Sequence, residues 1–145
     1  MHIWVDADAC PRPVKEVLFR AAKRTGVPMT LVANQPMGAP PHVQTVLVAQ
    51  GSDVADHHIA ARVTPEDLVV TADIPLAAEV VDKGCLAINP RGQVYTEDNV
   101  KDRLATRDLM DELRSAGMET GGPPAFSKRD VQAFAGALDR FLARR

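Results

Sequence analysis

The sequence lacks the bulk features that would tie it to a membrane or a polyanion. Its formal net charge is only −2, with 17 Lys and Arg against 19 Asp and Glu. No global field therefore draws it to nucleic acid or membrane, and a polyanion partner would have to be held by local basic patches or by metal ions. The two cysteines, Cys10 and Cys85, are too few for a disulfide framework, which favours free thiols and a cytoplasmic location. No apolar run approaches the ~20 residues of a spanning helix, and the N-terminus enters directly into a strand-like run instead of a signal peptide. Internal repeats and low-complexity tracts are absent as well. What remains is an ordinary soluble composition, 46% hydrophobic and 25% charged over 145 residues, which is the size of one domain with a real core and is read as a single domain over 1–145.

The chain is organised around its first eleven residues, MHIWVDADACP. Ile3 to Val5 has the β-branched and aromatic make-up of a buried strand. It stops abruptly at Asp6, Ala7 and Asp8. Two carboxylates this close together at the mouth of a buried strand repel each other beside a low-dielectric core, so they need a purpose: a bound cation or a proton-transfer task. Pro11 and Pro13 then suit the first turn of a helix.

Further along, Val14, Val17, Leu18, Ala21 and Ala22 form a helical stripe ended by Gly26. Met29–Ala33 reads as a second strand, Gln35–Gln44 as a proline-bearing loop, and Thr45–Ala49 as a third strand. That loop is short for a parallel crossover. Asp53 can cap a helix over Val54–Ala61. Leu68–Thr71 is a fourth strand with Asp73 just beyond it, Pro75 opens a helix ended by Gly84, and Cys85–Ile88 is a fifth strand closed by Asn89–Gly92. Val94–Thr96 forms a small hairpin arm. Glu97–Ala116 reads as helical with a break near Thr106, Thr120–Pro124 as a Gly/Pro linker. The final helix, about 127–144, has Ser127 and Asp130 as a capping pair and Val131, Phe134, Ala135, Leu138, Phe141 and Leu142 as one apolar stripe. Alternating strands and helices imply an α/β three-layer sandwich on a mainly parallel sheet of about five strands. Asp6, Asp8, Asp53 and Asp73 all follow strands, so parallel strands would gather them on one edge.

Oxygen ligands with few histidines favour Mg²⁺ or Mn²⁺ over zinc. Asp6, Asp8, Asp53, Asp56 and Asp73 could hold one or two such ions, and a pair of ions ~3.5–4 Å apart can activate water and stabilise a leaving oxygen in phosphodiester cleavage. Singly, Asp53 and Asp73 read equally well as helix caps; together the cation site is the stronger reading. Arg12, Lys15 and Arg91 stand where a phosphate could be gripped. Lys101, Arg103, Arg107 and Arg114 read as a solvated helix face rather than a phosphate track. Cys10 reads as a packed cysteine, since no His or Asn constellation marks a base for it.

DADACP at Asp6–Pro11, GSDVAD at Gly51–Asp56, TADIPLA at Thr71–Ala77, NPRG at Asn89–Gly92 and the GGPPAF segment before the last helix together resemble the YaiI/YqxD family of bacterial proteins, over nearly the whole chain. That family is similar to the PIN-like and NYN nuclease folds. The resemblance implies a PIN-like domain in which acidic residues at strand ends bind Mg²⁺ or Mn²⁺ and cut RNA. By it, Asp6 matches the first-strand aspartate, Asp53 that of the glycine-aspartate turn, Asp73 that after the fourth strand, and Thr71 the small hydroxyl residue before it.

The leading expectation is thus a metal-dependent, ribonuclease-like hydrolase. One rival is a haloacid-dehalogenase-like phosphatase, in which Asp6 and Asp8 would supply nucleophile and acid/base partner and Thr71 a substrate-binding hydroxyl for the phosphate; Asp53 and Asp56 precede Thr71, however, where that plan wants acids after it. The other is a catalytically inactive metal- or RNA-binding module, favoured by Pro75, which stands where the nuclease pattern often has another acid. Dimerisation through the last helix is a further expectation.

Overall fold

A computed structural model describes residues 1–51, 53–118 and 124–144. Among them are six strands: β1 (Ile3–Asp6), β2 (Met29–Ala33), β3 (Gln44–Leu47), β4 (Leu68–Val70), β5 (Leu86–Ile88) and β6 (Val94–Tyr95). The five α-helices are α1 (Arg12–Thr25), α2 (Val54–Arg62), α3 (Ile74–Asp82), α4 (Glu97–Ser115) and α5 (Lys128–Ala143). The strands form one sheet in the order β3-β2-β1-β4-β5-β6. All neighbours are parallel except β5 and β6. The sixth strand exceeds the expected five because the Asn89–Gly92 turn folds the short arm back, pairing Ala87 with Tyr95 and Ile88 with Val94.

Side chains alternate across the central strands and build a core on each face. On one face Ile3, Val5, Leu31 and Ile88 meet Val14 and Leu18 of α1 and Phe134, Leu138 and Phe141 of α5. On the other, Val32, Val69 and Ala87 meet Ile59 of α2, Leu76 and Val80 of α3 and Val100 of α4. The result is a helix–sheet–helix sandwich. The apolar stripe of α5 packs largely within the chain, where Phe134 and Leu138 are fully buried.

β3 does pair in parallel with β2, although no helix links them. The irregular connection instead turns at Val43, whose N–H donates to the Pro40 carbonyl at 3.0 Å, and tucks Met37 and Ala39 against the core beside α1. α4 runs unbroken through Thr106, contrary to the expected break. Thr106 is exposed there, and Arg107 bridges to Asp111 one turn on at 3.6 Å, a local pair that suits a continuous helix. Both long C-terminal helices begin in capping boxes: Thr96 with Asn99, and Ser127 with Asp130. The expected Thr120–Pro124 linker lies, Pro124 apart, outside the described residues.

Candidate functional site

The strand order reverses direction between β1 and β4. In open α/β sheets the crevice beyond the carboxyl ends of such strands is where ligands bind. β1 ends there in Asp6, which is 9% exposed, and β4 is followed by Thr71, which is 1% exposed. Thr71 Oγ1 donates to Asp6 Oδ2 at 2.9 Å. The same oxygen accepts from the Asp73 N–H at 2.9 Å. Asp73 in turn caps α3, its Oδ1 accepting from Leu76 N at 2.8 Å. One buried hydroxyl thus ties together the aspartates that end two adjacent strands.

Electrostatics draw α2 into the same place. Asp56 lies in the first turn of α2 and is half-buried. Burial, then the charges of Asp73 and Asp6, a side-chain hydrogen bond with Asp73 and the charge of Asp53 push its pKa up to about 7. The shift favours the protonated form of Asp56 near neutrality, the state in which it can donate to a neighbouring carboxylate. Asp6 is also raised. Burial is the main cause, the Thr71 hydrogen bond opposes it, and the charges of Asp73 and Asp8 add to it.

The remaining expected residues divide. Asp53 stands at the N-cap position of α2 without a side-chain capping bond; it is exposed and enters the site as a charge felt by Asp56. Asp8 is exposed, and its Oδ2 accepts from the Asn34 N–H at the end of β2 at 2.8 Å. Among the described residues, no group of three or more His, Cys, Asp or Glu side chains stands in an arrangement that could hold a metal ion. As it stands, the cluster is held by the hydrogen bonds through Thr71 and the α3 cap.

The residues expected at a substrate are mostly engaged elsewhere. Arg12 pairs on the surface with Glu16 at 3.6 Å, and Lys15 Nζ lies 3.7 Å from Met37 Sδ. Arg91 turns to the last helix: Nη1 lies 3.1 Å from Asp130 Oδ2, Nη2 donates to the Pro124 carbonyl, and the guanidinium sits over the Phe126 ring at 5.7 Å. It is a latch, made with a partner 39 residues away in the chain. Thr71, buried, gives its hydroxyl to Asp6. Cys10 is buried, and burial pushes its thiol up to about 12, which leaves it protonated and unreactive.

Two residues carry more than the sequence suggested. Tyr95, 4% exposed, donates its hydroxyl to the Thr71 carbonyl at 3.3 Å and so braces the site from β6; a tyrosine in a two-residue strand gives no sequence signal for that. Asp67, buried before β4, accepts from His2 N, Trp4 Nε1, Thr64 N and Thr64 Oγ1 at 3.0 to 3.2 Å. Burial alone would raise its carboxyl, but these hydrogen bonds outweigh it and bring the pKa below the ordinary value. The Thr64-to-Asp67 spacing, three residues before a strand, was the available signal. This hub lies at the opposite end of the sheet and stabilises the fold.

Fold and site define an α/β sandwich protein with buried, hydrogen-bonded carboxylates at the reversal point of a parallel sheet. The chain belongs to the uncharacterised YaiI/YqxD family, whose sequence profile matches residues 4–144. It is 60% identical over 147 residues to a UPF0178 protein of Halorhodospira halophila, covering 100% of this chain and 97% of that protein. A UPF0178 protein of Syntrophotalea carbinolica is 58% identical over 146 residues, covering 99% of each. One of Yersinia pestis is 59% identical over 144 residues, covering 98% of this chain and 95% of that protein. No solved structure matches the chain. Among the described residues, no helix is long and apolar enough to cross a membrane.

Proposed function

We propose that this protein is a divalent-cation-dependent hydrolase of phosphodiesters, of PIN-like character and acting on RNA. The observation that carries the reading is the run Asp6–Thr71–Asp73, linked by hydrogen bonds at the sheet's reversal point, with Asp56 close enough to feel the charges of Asp6 and Asp73. The donor set is all carboxylate, which suits Mg²⁺ or Mn²⁺. No three of these carboxylates already stand in a ligating arrangement, so Asp6, Asp56 and Asp73 would have to draw together around the ion, with Asp8 and Asp53 adding charge nearby. Bound there, such an ion would supply Lewis-acid chemistry, polarising a phosphoryl oxygen and lowering the pKa of water. The chain's own part is positional. Thr71 fixes the orientation of Asp6, the α3 cap fixes Asp73, and Asp56 can give up its proton near neutrality.

The cluster is costly without a cation, because like charges beside the core must take up protons. A divalent ion that binds the folded state relieves this and stabilises it by mass action. Thermal melting with added Mn²⁺ should therefore show a rise in Tm for the wild type and a much smaller one for Asp6→Asn. Single-stranded RNA should be cut by the wild type with Mn²⁺ and not by Asp6→Asn. No effect of millimolar Mn²⁺ on Tm would defeat the cation site.

A second reading, a binding module without catalysis, is favoured by the spread of the described carboxylates, no group of which is arranged to hold a metal. RNA binding with no cleavage under any divalent ion would select it.

A further inference from the structure

A groove of about 510 Å³ opens beside the aspartate site. Its near end is formed by Ala72 and Ile74, the residues on either side of Asp73. From there it runs between the Asn89–Tyr95 arm and α4, where Arg91, Arg103 and Arg107 line it against a single acid, Asp102. Three of its lining side chains are cationic and one is anionic, but Arg91 and Arg107 are paired with acids outside the lining, which leaves Arg103 as the lining arginine without an acidic partner among the described residues.

The cations differ in what they are free to do. Arg91 is committed to Asp130 and to the Pro124 carbonyl. Arg103 is held but not neutralised. Its guanidinium lies over the Tyr95 ring at 5.0 Å, and Nη2 donates to Gln93 Oε1 at 2.9 Å. Gln93 Oε1 also accepts from Asn89 Nδ2 at 2.8 Å, so the partner of Arg103 is itself fixed. All these partners are uncharged, and the arginine keeps its full charge and further N–H donors. A guanidinium ordered in advance loses little entropy when it meets an anion, and its fork matches phosphate oxygens. Arg107, one turn further along α4, pairs on the surface with Asp108 at 3.4 Å and Asp111 at 3.6 Å. Exposed pairs of that kind are cheap to exchange for a phosphate.

We propose that this groove is a backbone track for a polynucleotide, with Arg103 and Arg107 neutralising successive phosphates of a strand whose next phosphodiester reaches the aspartate site. The proposal rests on the hydrolase reading and adds the path by which the substrate strand reaches the site and the residues that grip it. Tyr95 ties the two together, since its ring supports Arg103 and its hydroxyl is bonded to the Thr71 carbonyl. The ring is buried and covered by Arg103, so it offers no platform for a base. The track therefore grips phosphates without reading sequence.

The test is fluorescence anisotropy with a short labelled oligouridine, in EDTA and across a potassium chloride titration, on the full chain. Arg103→Ala and Arg107→Ala should each weaken binding about tenfold, as expected when a charge-assisted hydrogen bond is lost. Each should also flatten the slope of log affinity against log salt by about 0.7, the signature of one lost phosphate contact on a single strand. Arg107→Ala leaves the cover of Tyr95 in place, and the melting temperature of each variant is checked, so misfolding cannot imitate the result. Wild-type affinity in both variants, or no salt-dependent binding by the wild type, overturns the track. Weakened binding in both variants, together with no effect of Mn²⁺ on stability or cleavage, upholds the track and removes the hydrolase reading alone.

Discussion

The Thr71 hydroxyl sits between two aspartates, giving its hydrogen to Asp6 Oδ2 and accepting one from the Asp73 backbone, each at 2.9 Å. Thr71→Val keeps the shape and removes both bonds. The buried Asp6 then loses the one contact that favours its ionised form. Stability at neutral pH should fall by about 1–3 kcal/mol, the cost of leaving a buried charged acceptor unsatisfied, and urea unfolding measures it. Thr71→Ser should recover most of the loss.

Stability should also depend on pH in a direction set by Asp56. Its folded pKa, about 7, lies above the ordinary carboxyl value of 3.8. Between those values the folded state holds more protons than the unfolded chain, so stability decreases as pH rises through that window. Asp6, raised in the same sense, adds to the decline. Asp67, lowered in the fold, acts oppositely: its contribution is present above the ordinary carboxyl range and is lost as pH falls through it. Urea midpoints taken at intervals from acid to mildly alkaline pH should therefore fall toward neutrality. Asp56→Asn should flatten that fall and raise stability above pH 7.

Gly92 takes φ +86°, and a Cβ there would lie 2.5 Å from the Ala133 carbonyl carbon and 2.6 Å from the Phe134 nitrogen. Backbone of α5 cannot move aside as a flexible side chain could. Gly92→Ala should cost about 1–2 kcal/mol for the left-handed conformation alone, with displacement of α5 in addition. Calorimetric unfolding would show a lowered Tm, and a Tm equal to wild type would mean that the turn is free of α5.

Phe134 is fully buried where α5 meets α1 and the sheet. Phe134→Ala should cost about 3–5 kcal/mol in urea unfolding, as for other large-to-small changes in a core. The loss should not vary with protein concentration, because the ring packs within one chain.

The core strands and the strand-end aspartates were legible in sequence for one reason. A parallel sheet covered on both faces makes short, nearly unbroken apolar runs, and a charge that ends such a run must stand at the edge. Asp6 and Asp73 follow that rule. The β2–β3 link was harder, because Met37 and Ala39 do a crossover helix's work without any periodic pattern. Arg91 could not be placed because its partner Asp130 lies in another layer, and no local spacing encodes that meeting. The same holds for Arg103, whose position over Tyr95 depends on the hairpin and helix converging. Asp53 does take the N-cap position of α2 that its residue type suits, but its carboxylate makes no capping bond, and local sequence does not encode that difference.

The helix that roofs one face of the sheet begins at Lys128, whereas the strand beneath it ends at Asp6. A ribosome delivers the strand first and its roof far later. Until α5 leaves the exit tunnel, Ile3, Val5, Leu18 and Ile88 lack the Phe134, Leu138 and Phe141 side chains that close over them. The nascent chain therefore carries an open greasy face through most of its synthesis, and its folding completes late, on contacts of long sequence separation.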